Sequence, residues 1–272
     1  MNNYEVLAQR SKKVVYKDGD TVLKVFDSDY SKADILNEAL NQARIEETGL
    51  NVPKLLEVSK IDGKWAIRIE YIPGRTLKEL MDENPDKLDE YLDLFVNIQK
   101  EIFSKEAPLL NKIKDKFHRK ISASRFDATT RFELHTRLNS MKDHKKICHG
   151  DFTPSNIIIT PGDTRACISS DDNSTPTSDH NAQKTANYFI LDWSHVTQGN
   201  AAADAARTYM LFCLKGQDEI AEKYLKLFCK ETDTAMQYVQ RWMPIVACTQ
   251  SVKGKENEQD FLDRWVNVVE YE

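Results

Sequence analysis

The sequence predicts an α+β chain, with an antiparallel, strand-rich first quarter holding one main helix and a mostly helical remainder. Three observations predict it. Short β-prone runs flank Asp-Gly pairs before residue 71. Ile72-Pro73-Gly74 then breaks the pattern. After that break the apolar residues recur at helical spacing, interrupted by only two β-branched runs.

Taken in order, residues 14–16 and 21–26 read as strands around the turn signal Asp18-Gly19. Residues 31–48 read as a helix, with Ser31 as its N-cap and Gly49 as its stop. Strands follow over residues 54–60 and 65–71, joined at Asp62-Gly63. Beyond Pro73-Gly74, residues 77–81, 88–103 and 112–142 read as helical, and Leu88, Tyr91, Leu92, Phe95 and Ile98 make a core stripe. Ile157-Ile158-Ile159-Thr160 and Tyr188-Phe189-Ile190-Leu191 read as two paired strands. Residues 161–187 between them are rich in Ser, Thr, Asp and Asn and poor in large apolar side chains, which marks a flexible insertion. Residues 201–272 read as helical throughout. The domain organisation expected is a lobe over residues 1–71 and a second over residues 72–272.

Bulk properties restrict the function classes. At 272 residues, with 40% hydrophobic and 30% charged residues, the chain can bury a core without disulfides or a structural metal. A net charge of −5 argues against a broad nucleic-acid or anionic-membrane surface. No apolar run approaches the ~20 residues needed to cross a bilayer. Cys148, Cys167, Cys213, Cys229 and Cys248 are scattered and odd in number, the pattern of reduced thiols. The expectation is a soluble cytoplasmic protein with no nucleic-acid or membrane partner; its oligomeric state stays open.

The chemistry concentrates in His149-Gly150-Asp151-Phe152-Thr153-Pro154-Ser155-Asn156. Phosphoryl transfer asks a protein mainly to position reactants and offset charge. Asp151 is placed to take a proton from an acceptor hydroxyl. Asn156, five residues on, and Asp192, at the end of the second β-branched run, offer magnesium an amide oxygen and a carboxylate. In residues 21–26, Lys24 shares a strand face with Val22 and Phe26, so its charge needs a match. Glu38 is the expected partner, because it lies near the helix face of Ile35 and Ile45. His149 is expected to pack and brace the loop, and Asp204 to be a buried acceptor behind it.

These motifs resemble the aminoglycoside phosphotransferase and choline kinase group, small-molecule kinases with a two-lobed, protein-kinase-like fold. The resemblance rests on residues 37–58 with Val52-Pro53-Lys54-Leu55-Leu56, on Tyr71-Ile72-Pro73-Gly74, on the His-Gly-Asp loop, on Leu191-Asp192-Trp193 and on Asp204-Ala205-Ala206-Arg207. It implies that ATP or GTP and magnesium are used, and that a small-molecule hydroxyl accepts the phosphoryl group. It further implies that Lys24 binds phosphate with Glu38 orienting it, that Asp151 is the base and that Asn156 and Asp192 hold the metal. The backbone around Glu70 to Ile72 would meet the adenine. Residues 9–13, over the phosphates, have no glycine, leaving Ser11 and backbone N–H groups for that task. Thr153 and Ser194 depart from the residues common in the group, so aminoglycosides, amino alcohols, amino-acid hydroxyls, sugars and thiamine-like alcohols all stay open as acceptors.

Two other readings compete. A protein kinase needs a long activation segment, but only 11 residues separate Asp192 from Asp204. A nucleotide-binding pseudokinase scaffold should lack part of Lys24, Asp151, Asn156 or Asp192, and all four are present. Basic residues Lys112, Lys114, Lys116, Arg119 and Lys120 read as a solvated helix face. Trp193, Tyr209, Trp242 and Trp265 read as core, with Trp193 the best aromatic candidate for a cationic acceptor.

Overall fold

The structure, a computed structural model, describes residues 4–10, 12–161 and 188–266. Ser11 and the insertion, apart from Pro161, lie outside the described residues. Contacts divide the chain into two units, Met1–Leu94 with Pro154–Ser194, and Phe95–Thr153 with His195–Glu272.

In the first unit, β1 (Glu5–Gln9), β2 (Lys13–Asp18), β3 (Thr21–Phe26), β4 (Leu55–Ile61) and β5 (Lys64–Glu70) form one sheet in the order β1-β2-β3-β5-β4. All its pairs are antiparallel. β1 is an addition to the sequence reading, whose first strand begins at residue 14. The turns fall at the two Asp-Gly pairs, where Gly19 and Gly63 both have positive φ. Helix α1 (Lys32–Glu46) begins at Ser31, whose Oγ accepts from the Asp34 N–H at 3.3 Å. It buries Ile35, Glu38, Ala39, Gln42 and Ile45, a stripe at helical spacing. Ile35 and Ala39 join Phe26, Ile67 and Ile69 in the unit's core. That stripe carries one acid, Glu38, into the covered face of the sheet.

The same unit holds β6 (Arg75–Thr76), helix α2 (Leu77–Glu83) and the strands β8 (Ile157–Ile159) and β9 (Tyr188–Ile190). β8 and β9 pair antiparallel, as their β-branched runs predict, and the register places Ile157 opposite Ile190. β6 pairs on the other edge of β8. Thr76 and Glu79 form a reciprocal capping box at the start of α2.

The division between units falls inside α3 (Leu88–Ser104). The second unit contains β7 (Lys146–Cys148) paired antiparallel with β10 (Thr197–Gly199). Its helices are α4 (Ile113–Ser122), α5 (Ala128–Ser140), α6 (Ala201–Cys213), α7 (Asp218–Thr232), α8 (Met236–Gln240), α9 (Met243–Ser251) and α10 (Glu256–Val266). The polar stretch 112–142 is two helices rather than one. The small pair β7–β10 has no signal in the sequence, because three residues are too few to show a period.

Aromatic packing organises this unit. Phe95 stacks on Phe152 at 4.3 Å and meets Phe212 and Tyr224 edge-on at 5.9 and 5.7 Å. The Tyr224 hydroxyl donates to Gln99 Oε1 at 2.7 Å, so its polar end is satisfied inside the core. Phe95 is fully buried, and truncating it removes packing under Phe152. Phe95→Ala is expected to cost about 3–5 kcal/mol. Urea denaturation checks this, and a loss under about 1 kcal/mol would show that Phe152 is held from elsewhere.

Candidate functional site

Lys24 lies on β3 between Val15 of β2 and Ile67 of β5. Its Nζ donates to Glu38 Oε1 at 2.8 Å, and the two side chains are only 12% and 8% exposed. Lys13 approaches the other Glu38 oxygen at 3.5 Å, a second cation that the sequence reading missed. Burial pulls the Lys24 pKa down, but Glu38 and the negative charge of Asp192 more than offset this and raise it above the ordinary value. Lys24 is therefore a fully charged lysine held in place by two acids.

Asn156 and Asp192 flank the β8–β9 pair. The Leu191 N–H donates to the Asn156 carbonyl at 2.8 Å, which continues the ladder past Ile157 and Ile190 to the end where Asp192 follows. Asp192 has φ +61, an unusual left-handed backbone for a residue with a side chain. Its Oδ1 accepts from Ser194 Oγ at 2.8 Å. One carboxylate and one amide oxygen fit magnesium, which takes few protein ligands and completes its shell with phosphate and water. Glu70 and Ile72 lie at the end of β5. The Glu70 carboxylate accepts from the Lys54 N–H at 3.2 Å, and the Tyr71 N–H is spent on the Asp20 carbonyl at 3.0 Å.

The His-Gly-Asp loop belongs to the second unit. Asp204, in the first turn of α6, accepts from the His149 N–H at 3.2 Å through Oδ2 and from the Gly150 N–H at 2.7 Å through Oδ1. Arg207, one turn later, donates from Nε to the Gly150 carbonyl. Thr208 Oγ1 donates to the Phe152 carbonyl at 3.1 Å. His149 is fully buried, and its Nδ1 accepts from the Asp151 N–H at 3.2 Å. His149 and Asp204 thus take the bracing parts expected of them. Gly150 has φ +78, and a Cβ there would lie 2.6 Å from the His195 carbonyl oxygen.

Beside this loop the structure corrects the sequence reading. Lys116 and Lys120 are not on a solvated face. With Ile113 and Phe117 they line a cleft whose wall also holds Gly150, His195, Asp204, Arg207 and Lys253. Lys116 Nζ donates to the His195 carbonyl at 2.8 Å. Burial, then Lys120, Arg207 and Lys253, lower the Lys116 pKa to about 7. Burial and the neighbouring Arg207 and Lys253 bring Lys120 to about 8. His195 falls to about 3, mainly through burial and secondarily through Lys116. Trp193 and Trp242 are 1% and 0% exposed, so neither ring is open to a cationic acceptor.

A model of the phosphotransferase enzyme family matches residues 6–168. Among curated proteins, no sequence matches the chain. Among solved structures, aminoglycoside phosphotransferase APH(4)-Ia superposes with a TM-score of 0.67 at 14% identity, covering 99% of this chain and 95% of that one. ADP-bound aminoglycoside phosphotransferase APH(2'')-Ib gives 0.58 at 15% identity over 98% and 92% of the two chains. Choline kinase LicA from Streptococcus pneumoniae gives 0.56 at 16% identity over 95% and 86%. The fold is the protein-kinase-like one, and the chain is a phosphotransferase. It belongs to the phosphotransferase enzyme family.

The lowered lysines set a pH dependence. Unfolded, Lys116 and Lys120 hold protons up to the ordinary value of 10.5; folded, they release them near 7 and 8. The unfolded state binds more protons in that window, so stability rises with pH there. In a Tris–chloride buffer the melting temperature is expected to rise from pH 7 to pH 9. Lys116→Met should flatten the rise. An unchanged slope in that variant would show that Lys116 is not the group responsible.

Proposed function

We propose that this enzyme transfers the γ-phosphoryl group of ATP, or of GTP, to a hydroxyl of a small molecule with magnesium. The observation that supports the reading best is the Lys24–Glu38 pair with Asp192 acting on the same ammonium. A lysine held charged by two acids on a sheet is suited to nucleotide phosphates, as in kinases. Asn156 and Asp192 supply the oxygen donors for magnesium, whose charge offsets that of the phosphates. The backbone of Glu70 to Ile72 meets the adenine edge. Asp151 accepts the proton of the acceptor hydroxyl as its oxygen bonds to the γ-phosphorus and the bond to the leaving nucleoside diphosphate breaks. The proton then passes to solvent.

Two observations favour a small acceptor over a protein. Of the 11 residues between Asp192 and Asp204, Thr197–Gly199 are spent on pairing with Lys146–Cys148, which leaves little chain for a peptide platform. Structures similar to this one include a complex of APH(4)-Ia with AMP-PNP and the small molecule hygromycin B, at 13% identity, a TM-score of 0.65, and 97% and 91% coverage. Small-molecule transfer is the reading these observations support.

Asp151→Asn is expected to lower turnover by about 10²–10⁴-fold while MgATP affinity changes less than about threefold. Calorimetric titration with MgATP and a coupled ADP assay separate the two effects. Lys24→Met should show the reverse emphasis, weakening nucleotide binding by about tenfold or more. Full turnover in Asp151→Asn, or unaltered nucleotide affinity in Lys24→Met, would sink the assignment.

A further inference from the structure

The cleft beside the His-Gly-Asp loop has an electrostatic imbalance that the nucleotide site does not use. Lys116 and Lys120 come from α4, Arg207 from α6, and Lys253 from just beyond α9. Four cations and His195 face one another, and the only acid among the lining residues is Asp204. Both oxygens of Asp204 are already spent on the N–H groups of His149 and Gly150. Among the described residues, none of the four cations forms an ion pair with a carboxylate. Their hydrogen bonds go to neutral groups instead. Lys116 donates to the His195 carbonyl, Lys120 to the Thr249 carbonyl at 3.4 Å, and Arg207 to the Gly150 carbonyl and to Gln250 Oε1 at 3.2 Å.

Like charges on one helix face at i and i+4 repel, and burial deepens the cost. A half-buried cluster of cations that outnumbers its counter-charges is the pattern of a site whose anion arrives from outside. The cleft leaves about 20 Å³ open to a water-sized group, so it admits the oxygen edge of a carboxylate or phosphate with the rest of the ligand directed outward. Gly150 forms part of the wall, and the charge of Asp151 acts on both His195 and Lys253. An anion held here therefore lies beside the loop that carries the proposed base. We propose that this cleft binds an anionic group, carboxylate or phosphate, of the phosphoryl acceptor, so that the alcohol phosphorylated is an anionic metabolite and not a polyamine or quaternary amine. For the word acceptor the proposal rests on the phosphotransfer reading; the anion site itself does not.

Sulfate is the probe, because its charge is constant between pH 6 and 9. The full chain is titrated with sulfate against chloride at equal ionic strength, without nucleotide, and its melting temperature is followed. A saturable rise is expected. Lys120→Gln and Lys253→Gln should each weaken the apparent affinity about tenfold while melting no lower than the wild type in chloride. Lys24→Met should keep the full response. The affinity should also fall as pH rises from 6.5 to 9, because Lys116 and Lys120 lose their protons. Asp204, Arg207, His195 and Lys253 face them in the cleft, and the charge of Asp151 acts on His195 and Lys253. No saturable response, a response that survives both glutamine variants, or one lost in Lys24→Met would each overturn the anion site. In a second arm, MgATP turnover is compared among hydroxy acids, sugar phosphates and amino alcohols. Preference for either anionic class supports the proposal and tells carboxylate from phosphate, whereas preference for amino alcohols overturns it. A wild type that binds sulfate at this cleft but no MgATP would refute the phosphotransfer reading and leave the anion site standing.

Discussion

The Asp204 carboxylate and the two backbone N–H groups it accepts from form the contact on which the second unit's chemistry depends. A buried carboxylate is costly unless its lone pairs are used, and here both oxygens are taken by His149 and Gly150. Burial still raises the Asp204 pKa, against the opposing effects of His149, the two N–H groups and Arg207. The close approach of α6 to the loop is made possible by Ala202, Ala203, Ala205 and Ala206, all 2% exposed or less. Arg207 then holds the Gly150 carbonyl, so donor and acceptor sides of the same peptide segment are fixed from one helix. Phe152 is fixed in turn by Phe95 and Thr208. Asp151, the proposed base, sits between these anchors.

In the first unit the comparable constraint is the charge balance at Lys24. Glu38 is the one acid on the covered stripe of α1, and its burial is tolerated because Lys24 and Lys13 both reach it. Asp192 adds a second negative charge from the end of β9, on a left-handed backbone that the β8–β9 ladder and the Ser194 hydroxyl stabilise. A sheet lysine, a helix acid and a hairpin-end acid therefore form one electrostatic group, although they stand far apart in sequence.

How much of this was legible depended on whether each feature is local. The His-Gly-Asp loop, Asn156 and Asp192 occur at fixed spacing against β-branched runs, and the pairing of those two runs followed from their composition. The Lys24–Glu38 pair could be read because strand and helix periods each place one charge on an apolar face. Lys116 and Lys120 could not. On α4 they look like any polar helix positions, and only the return of the chain at Arg207 and Lys253 encloses them. The aromatic residues were read as core, and the full burial of Trp193 and Trp242 agrees with that reading while removing Trp193 as a candidate for a cationic acceptor. β1, β7 and β10 escaped because their runs are short or irregular in pattern.

The two sets of lysines show why sequence yields reaction chemistry more readily than substrate. Burial lowers the pKa of every lysine here, so the sign of the net shift reports whether acids compensate. At Lys24 they do, and the pKa ends above its ordinary value. At Lys116, Lys120 and Lys253 they do not, and each ends below it. A lysine of the first kind is finished when the chain folds, since its partner is encoded within the same unit. A lysine of the second kind carries an unmet charge into the native state, because Asp204, the one acid lining the cleft, has both oxygens committed to the loop. Swapping in an acid at Gln250 or Thr249 would relieve the repulsion and also fill the cleft with its own counter-charge. The fold has neutral acceptors at both positions, which keeps the positive potential directed at whatever enters beside Gly150.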